Sequence, residues 1–447
     1  MRTKFAVIAL VVLLAGTIGL TQELTVWVRS TALEPAFEAY NQQMESEGRD
    51  IRVRFNLIDP EDFAARFTTA LAAGAAPDVV SIDLVLVPYY NSIGAFLDVT
   101  DQLAELEYAE TLNRAMLRLG TWDERVYALP FAADVSALIY NRDMFEAAGL
   151  DPDVPPSTWA ELVEYARQLT GDGVYGYGFS GGSAGGLMFT MMPYAWASGG
   201  TWVSEDGTTA ALDHPTTAEA VQMFTDMIHE YGVTPPGVPT YTYADFQDGF
   251  KQGRIAMITT GNFVVSDLNT NFPDINFGVA PIPGKNPGEI SAFIGGDLIA
   301  IPQMSRYPEA AWEFVQYLLS EAVQVEVFAR SGIIPVRSEL NDNQYFQAEP
   351  RYLVFGEAAQ RGHVPFSTVY NELYRPFLEG MQDAFRQAKP VEQALSDASE
   401  AMQIVLDRDH HERWILPFHV RYPLTQIKAN GRDGAFHGSA GRLACFR

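Results

Sequence analysis

The chain has 447 residues, of which 47% are hydrophobic and 19% charged, and its formal net charge is -26. This length and composition predict two or three globular units and exclude a disordered, collagen-like or coiled-coil protein. Such a negatively charged chain repels phosphate groups and anionic lipids. This argues against a protein that binds nucleic acids or membrane surfaces. Because Cys445 is the one cysteine, an intrachain disulfide and a zinc site built on several thiolates are excluded as well.

The N-terminus has the three parts of an export signal. Arg2 and Lys4 precede the apolar run FAVIALVVLL, and small and polar residues follow up to Gln22. A membrane-spanning helix needs about 20 apolar residues, so this shorter run predicts a signal peptide over residues 1–22. Thr17 stands where a bacterial lipoprotein would have its lipid-bearing cysteine. We therefore expect a periplasmic or extracellular protein without a lipid anchor.

Strand and helix patterns alternate through the next sixty residues. Apolar and polar residues alternate over 23–29 and 52–58, and the run VVSI over 79–82 is also typical of a strand. Helical spacing fills the two intervals, over 33–44 and from Asp62 to a stop at Gly74. This order predicts an α/β fold with a parallel or mixed sheet and helices on both faces.

Two later helices are also marked in the sequence. Thr158 and Glu161 have the spacing of a capping box ahead of an apolar helical stripe. A second apolar stripe predicts one helix from Pro308 to Arg330, ended by Gly332 in a left-handed conformation.

The last 41 residues, 407–447, differ in composition from the rest of the chain. They hold seven lysines and arginines against four acidic residues, and four of the seven histidines. No helical period continues after Leu406. Because the histidines lack the regular spacing of metal ligands, we expect an atypical, poorly ordered tail and no metal site.

A glycine-rich stretch over 176–186 matches the sequence patterns of two functional motifs. It contains one G-x-G-x-x-G match, and two G-x-S-x-G matches centred on Ser180 and Ser183. The stretch does not follow the first strand of the chain, which argues against a dinucleotide site. Either serine could act with Asp297 and His363, so a secreted serine hydrolase is the alternative function.

Other catalytic motifs are absent from the sequence. It contains no phosphate-binding G-x-x-x-x-G-K-[ST], no H-E-x-x-H and no C-x-x-C. Paired carboxylates are frequent, but in so acidic a chain they are typical of solvated surface. The sequence therefore favours a binding protein over an enzyme, without cofactor or metal.

The segment PFAADVSALIYNRDMF over 130–145 resembles the signature of the bacterial extracellular solute-binding proteins of the maltose-binding type, family 1, which serve ABC importers. The segments PSTWAEL over 156–162, FQDGFKQGRIAM over 246–257 and GIIP over 332–335 are similar to further parts of that family. The resemblance extends from about residue 23 to residue 406.

This resemblance implies a two-lobed periplasmic-binding-protein fold, in which each lobe is a mixed sheet flanked by helices and the ligand cleft lies between the lobes. Residues 23–131 and 296–335 would form the N-terminal lobe, and residues 136–291 and 338–406 the C-terminal lobe. The implied function is capture of a mono- or oligosaccharide by hinge closure and its delivery to the membrane permease subunits of an ABC importer. We expect a monomer that binds no nucleic acid.

The resemblance also implies ligand-binding positions at strand ends and at the crossovers between lobes. These positions are Arg29, Ser30, Asp83, Asp134, Trp196, Asn262, Phe263, Gly296, Asp297 and Arg337. Many relatives have a tryptophan where Asn262 and Phe263 follow Gly261 here, so the ring that stacks on a sugar could instead come from Trp196, Tyr89 or Tyr370. Three acids against two arginines argue against a phosphorylated ligand and leave a cationic ligand, such as a polyamine, as an alternative.

Overall fold

The computed structural model describes residues 22–415. The predicted signal peptide, up to residue 21, and the tail beyond residue 415 lie outside the described residues. Strands and helices alternate through the described chain. The strands are β1 (Gln22–Val28), β2 (Ile51–Leu57), β3 (Val79–Asp83), β4 (Thr121–Trp122), β5 (Arg125–Val126), β6 (Ala128–Asn141), β7 (Tyr175–Gly178), β8 (Ile255–Gly261), β9 (Phe277–Ala280), β10 (Ile282–Pro283), β11 (Ile290–Ser291) and β12 (Ile294–Ala300).

The helices pack around these strands. They are α1 (Glu34–Ser46), α2 (Pro60–Ala72), α3 (Val87–Ser92), α4 (Thr100–Ala104), α5 (Arg114–Leu119), α6 (Arg142–Ala147), α7 (Trp159–Leu169), α8 (Ala184–Thr190), α9 (Met192–Ala197), α10 (Pro215–His229), α11 (Tyr243–Lys251), α12 (Phe263–Asn271), α13 (Pro308–Leu318), α14 (Glu321–Val323), α15 (Gln344–Ala348), α16 (Arg351–Gln360), α17 (Tyr370–Phe385) and α18 (Val391–Ile415).

One mixed sheet of eight strands runs through the molecule in the order β2-β1-β3-β12-β6-β8-β7, with β9 also paired to β6. The strands β1, β2 and β3 are parallel, whereas β12 is antiparallel to both β3 and β6. Parallel neighbours need crossover connections, and α1 and α2 supply them. The α/β fold class predicted from the alternating patterns is therefore confirmed.

The long strand β6 belongs to two parts of this sheet. Its residues 128–135 pair with β12, and its residues 136–140 pair with β8. Residues 138–141 also pair with β9. One continuous strand thus joins a first part, formed by β1, β2, β3 and β12, to a second part, formed by β7, β8 and β9.

Alternating burial explains why the first strand forms where its sequence predicts. Leu24, Val26 and Val28 are fully buried, whereas Thr25 and Trp27 between them are partly exposed. Each buried branched side chain contributes about 1.5–3 kcal/mol to folding by leaving water. A shift of one residue would turn these side chains outward, so the burial fixes the register.

The predicted helix from Pro308 to Arg330 is wrong in its length. α13 ends at Leu318, and a new helical start follows at Ser320, whose hydroxyl accepts a hydrogen bond from the Val323 amide. A π-helical turn and a 3₁₀ turn then lead to Gly332, which has the predicted left-handed conformation with φ of 80°. The buried Gln324 side chain accounts for the irregular turn, because it bonds backbone groups of three other segments.

The last helix extends further than the sequence predicts. α18 continues past Leu406 to Ile415, so the first nine residues assigned to the tail prolong a helix. Asp409 accepts a hydrogen bond from Thr368, and Arg408 forms an ion pair with Glu372. Polar contacts replace the apolar period there, which is why the pattern gave no signal. Within residues 22–415, no helix has both the length and the apolar character to cross a membrane.

Candidate functional site

A cavity of about 320 Å³ opens where the two parts of the sheet meet. We call it the inner cavity. One wall comes from the ends of β1 and β3 and from β6 and β12, and the opposite wall from α8, α11, α12 and α17. The lining residues are Arg29, Asp83, Val85, Asp134, Gly185, Gly186, Phe189, Tyr243, Phe263, Phe293, Gly295, Gly296 and Tyr374.

An arginine held by two carboxylates lies at the first wall. Arg29 donates through Nε to Asp297 over 3.1 Å, and its Nη2 also bonds that carboxylate. Its Nη1 lies 3.1 Å from Asp83 Oδ2. Burial lowers the pKa of Arg29, but Asp297 and Asp83 outweigh that effect and raise it above its ordinary value. The guanidinium therefore stays charged and fixed.

Asp297 interacts with Arg29 more than with the open cavity. Its second oxygen accepts a hydrogen bond from the Ser81 hydroxyl over 2.5 Å, and the residue is only 7% exposed. The register between β12 and β6 shifts between Asp297 and Leu298, where the pairing skips Phe131 of β6. The neighbouring Gly296 has φ of 111°, and a Cβ there would lie 2.0 Å from the Ala132 carbonyl oxygen. Only glycine fits this position.

A third carboxylate, Asp134, faces the same cavity from β6. Its Oδ1 is buried and has no hydrogen-bond partner. Burial, together with the negative charges of Asp83 and Asp297, raises the pKa of Asp134 to about 7. Burial also raises the pKa of Asp83, although Arg29 opposes the shift. Burial and neighbouring negative charge thus shift the pKa values of both carboxyl groups of the inner cavity upward.

Aromatic rings form the opposite wall. Phe189 lies 6.4 Å from Phe263 in a stacked arrangement and 5.4 Å from Phe293, measured between ring centroids. Tyr243 lies 6.3 Å from both Phe189 and Phe263. Phe263 remains 45% exposed. An apolar ring face opposite carboxylates can contact a ligand that has both C–H surfaces and hydroxyl groups.

A second cavity of about 380 Å³, which we call the outer cavity, shares Val85 with the inner one. The predicted residues Tyr89 and Tyr370 line it, together with Thr368 and Glu372. Tyr89 is 39% exposed, whereas Tyr370 is buried. The Tyr370 ring lies 5.1 Å from that of Tyr374, which lines the inner cavity. The two cavities therefore adjoin each other, and we call them together the cleft.

The structure brings part of the predicted site together. Five predicted residues line the inner cavity and two line the outer one, while Asp297 stands behind Arg29. Ser30 follows Arg29 in the chain and is exposed, outside the lining. That any of these predicted residues contacts a ligand stays a prediction. The five inner residues are Arg29, Asp83, Asp134, Phe263 and Gly296.

Two predicted residues lie elsewhere. Arg337 lies with its guanidinium 4.0 Å from the Tyr108 ring centroid and forms an ion pair with Glu339. Trp196 is 9% exposed and packs behind Phe293 and against His363, whose ring centroid is 4.7 Å away. Both side chains are engaged in packing, so neither lines the cleft.

Asn262 is also committed to the protein itself. Its Oδ1 accepts a hydrogen bond from the Val135 amide over 2.7 Å, and its Nδ2 donates to the Gly332 carbonyl over 2.7 Å. Val135 lies where β6 passes between the two parts of the sheet. The asparagine thus connects three segments at the junction, and at 3% exposure little of it is accessible to a ligand.

Replacing Asn262 with alanine should lower the free energy of unfolding by about 2 kcal/mol, because two buried backbone groups lose their partners. Urea unfolding measures this loss. Asn269→Ala, in the same helix but exposed, is the control and should change stability by less than about 0.5 kcal/mol. Equal effects of the two substitutions would contradict the junction role.

The sequence analysis missed four aromatic lining residues, Phe189, Tyr243, Phe293 and Tyr374. Tyr243 had a signal, because Thr242 and Asp245 form a capping box that places it at the first position of α11. Phe189 lies near the end of the short helix that follows the glycine-rich stretch. In each case the sequence indicated the element but not the direction of its ring.

The two serines of the G-x-S-x-G matches form hydrogen bonds that stabilise the fold. Ser180 is fully buried and its hydroxyl donates to the Tyr241 carbonyl, and Ser183 caps α8 by accepting from the Gly186 amide. Burial lowers the pKa of His363 to about 4, and Asp297 binds Arg29. The residues proposed for a hydrolase are thus each engaged separately. Within the part of the chain that the structure describes, no group of three or more possible metal ligands is found.

The comparisons with known proteins agree with this geometry. The maltotriose-binding protein of Pyrococcus abyssi is 25% identical over 343 residues, 73% of this chain and 69% of that protein. The cyclic alpha-maltosyl-1,6-maltose binding protein of Arthrobacter globiformis superposes with a TM-score of 0.78 and 26% identity, over 86% of this chain and 99% of that one. A solute-binding protein of Thermotoga lettingae, solved with alpha-D-tagatose, superposes with a TM-score of 0.72 and 26% identity. The match covers 86% of this chain and 100% of that one.

These neighbours are two-lobed periplasmic sugar-binding proteins, so the implied two-lobed fold is confirmed. The family described as bacterial extracellular solute-binding protein matches residues 28–325. That match covers more than half of the chain and includes Arg29 together with β3, β6 and β12, which carry the charged wall of the inner cavity. The chain belongs to the bacterial extracellular solute-binding protein family.

Proposed function

We propose that this protein captures a neutral sugar in the cleft and delivers it to the permease of an ABC importer. The observation that carries the proposal is that the carboxyl groups of Asp83 and Asp134 and the rings of Phe189 and Phe263 line one cavity. Carboxylates accept hydrogen bonds from sugar hydroxyls, while aromatic faces cover the C–H surface of the sugar ring. Relatives named for maltotriose and mannitol support a sugar as the ligand class.

The charge of the cleft supports a neutral ligand. Arg29 is the cation of the inner cavity, and Asp83 and Asp297 already neutralise it. A phosphorylated ligand would meet a net negative wall, and recognition of phosphate usually needs unpaired arginines or lysines. We infer that the protein acts as an exported monomer and not as an enzyme, with residues 1–22 as its signal peptide.

The division into lobes follows from the same proposal. Residues 23–131 with 296–335, and 136–291 with 338–406, would move as two bodies and close over the sugar by a hinge. The change of β6 pairing from β12 to β8 between residues 135 and 136 supports this division. Small-angle scattering should show a smaller radius of gyration with saturating sugar than without it.

Calorimetry with a panel of sugars, sugar alcohols and polyamines tests the function. We expect saturable sugar binding and an unchanged sugar after incubation. Binding of spermidine or putrescine alone would contradict a neutral ligand, and hydrolysis of an ester or glycoside would contradict a carrier.

Asp83→Asn should weaken sugar binding at least about tenfold, because a charged hydrogen-bond acceptor in the cavity is lost. Titration calorimetry of the variant and the parent measures the change. Asp62→Asn is the matched control, since Asp62 pairs with Arg66 on the exposed face of α2, and it should bind as the parent does. Parent-like affinity in Asp83→Asn with a folded protein would place the ligand elsewhere.

A further inference from the structure

We propose that the cleft binds a proton together with its sugar, and that Asp134 is the residue that carries this proton. The inference rests on the proposed function and adds an ionic ligand to the same site. Asp134 would be partly ionised in the empty cleft near neutral pH and protonated when a sugar fills it. Sugar capture would therefore be stronger in a mildly acidic medium than in an alkaline one.

The charges of the inner cavity do not balance. Asp83 and Asp134 line it, and Asp297 lies behind Arg29, which is the cation among the lining residues. Three carboxylates against one guanidinium leave two negative charges uncompensated when every group is ionised. Like charges that are close together and shielded from water favour protonation of one of them. A proton on one carboxylate removes one of these charges, whereas a neutral sugar removes neither.

Asp134 is the least engaged of the three carboxyl groups. Arg29 lies 3.1 Å from Asp83 and donates to Asp297 over 3.1 Å. Asp134 Oδ1 is buried and has no hydrogen-bond partner among the described residues. It lies against the backbone of β12, where a Cβ on Gly295 would be 2.0 Å away. We therefore expect the proton on Asp134 and not on the two carboxylates that bind the arginine.

The charged and titratable groups that face Asp134 come from the elements around the inner cavity: Arg29 after β1, Asp83 at the end of β3, Asp297 on β12, Tyr243 on α11 and Tyr374 on α17. The helices α8 and α12 add glycines and phenylalanines to the lining, which carry no charge. Burial raises the pKa of both tyrosines, so they stay neutral near pH 7. With its pKa at about 7, Asp134 titrates in the neutral range, and Asp83 is coupled to it.

A neutral sugar in the cavity favours the protonated form of Asp134. It displaces water, and the loss of water raises the free energy of an ionised carboxylate much more than that of a neutral carboxyl group. The rings of Phe189 and Phe263 supply no charge in compensation. A protonated carboxyl group both donates and accepts hydrogen bonds, as sugar hydroxyls do, so a neutral Asp134 can still bond the ligand. A cationic ligand would have the opposite effect and would release the proton.

Titration calorimetry of maltotriose, mannitol and D-tagatose in phosphate, HEPES and Tris buffers at pH 7.5 tests the inference. A proton that the protein takes up comes from the buffer, so the observed binding enthalpy should change with the ionisation enthalpy of the buffer. For a sugar that binds, we expect uptake of about half a proton at pH 7.5, and an affinity that falls at least about threefold from pH 6.5 to pH 8.5. Infrared difference spectra should show a protonated carboxyl group gained on binding. These measurements use the parent protein, so they decide the inference even if a variant fails to fold.

Asp134→Asn assigns the proton to its residue. The amide keeps the size of the carboxyl group but does not titrate, so most of the proton uptake and of the pH dependence of affinity should be lost. Asp245→Asn, at an exposed position of α11, is the matched control and should keep both.

Three results would overturn the inference while the proposed function stands. They are a binding enthalpy that is the same in every buffer, release of protons on binding, and an Asp134→Asn protein with the proton uptake of the parent. Failure of every sugar to bind would overturn the proposed function and the inference with it.

Discussion

Replacing Arg29 with methionine is expected to lower the free energy of unfolding by about 3 kcal/mol at neutral pH. The guanidinium binds both Asp83 and Asp297, and only 18% of its side chain is exposed. Without the arginine, Asp297 still accepts the hydrogen bond from Ser81. It stays buried beside two other carboxylates, those of Asp83 and Asp134. Methionine fills a similar volume, so the loss measures charge and hydrogen bonding more than packing.

Arg54→Met is the matched control for this substitution. Arg54 lies on β2 of the same part of the sheet and pairs with Glu23, but more than half of each side chain is exposed to water. Exposed pairs contribute about 0–1 kcal/mol, so urea unfolding should separate the two variants clearly. A loss in Arg29→Met no larger than that in Arg54→Met would mean that the three carboxylates do not depend on the arginine.

The sequence predicted the fold well where burial alternates with the period of a single element. β1, α1, β2, α2 and β3 all lie within a few residues of their predicted bounds, because each buries one face against the same core. The helix predicted from Pro308 to Arg330 was too long, because polar side chains interrupt it while its apolar pattern continues. Its apolar stripe continues, but Ser320 and the buried Gln324 make local bonds that a pattern of apolar residues does not register.

The charged wall of the site was predicted from the family resemblance, and the fold supplies its physical reason. Arg29 follows β1 and Asp83 ends β3, and because these two strands are parallel neighbours, their carboxyl ends meet at one edge of the sheet. The role of Asn262 was not predictable in this way. Its partners lie 127 and 70 residues away in the chain, and two hydrogen bonds across a junction have no local signature.

Ring orientation is the other part that the sequence could not supply. Trp196 was named as a replacement for the platform that many relatives have at the position of Phe263. In the structure Trp196 is buried behind Phe293, whereas Phe263 is exposed in the cavity. Gly261 accounts for the position of Phe263, since a Cβ there would lie 2.2 Å from the phenylalanine ring. The specificity of the cleft thus depends on close contacts between elements that are far apart in the chain.

Asp134→Asn should become more stable relative to the parent as pH rises, by about 1.4 kcal/mol per pH unit between pH 4 and 7 and by about 4 kcal/mol in total at pH 8. The folded pKa of Asp134 is about 7, whereas an unfolded aspartate titrates near 3.9. The folded parent therefore binds more protons than the unfolded chain in this interval, and it loses stability as the pH increases. Asparagine carries no charge, so its burial costs the same at every pH.

The groups that face Asp134 determine how much pH dependence remains in the variant. Asp83 and Asp297 are the negative charges and Arg29 the positive one. Burial raises the pKa of Asp83 as well, so the two carboxyls titrate as a coupled pair and the variant should retain part of the slope. The difference between variant and parent reports the loss of Asp134 together with its repulsion of Asp83, since histidines and distant acids contribute equally to both.

Asp245→Asn provides a control with the opposite shift. Hydrogen bonds from Thr242 lower the pKa of Asp245, so its stabilising charge is complete above pH 4 and is lost only in stronger acid. The stability difference between Asp245→Asn and the parent should therefore stay constant from pH 5 to pH 8. A difference for Asp134→Asn that is equally constant over that range would mean that Asp134 is already ionised at pH 5, and that its unpartnered oxygen reaches water in the open cleft.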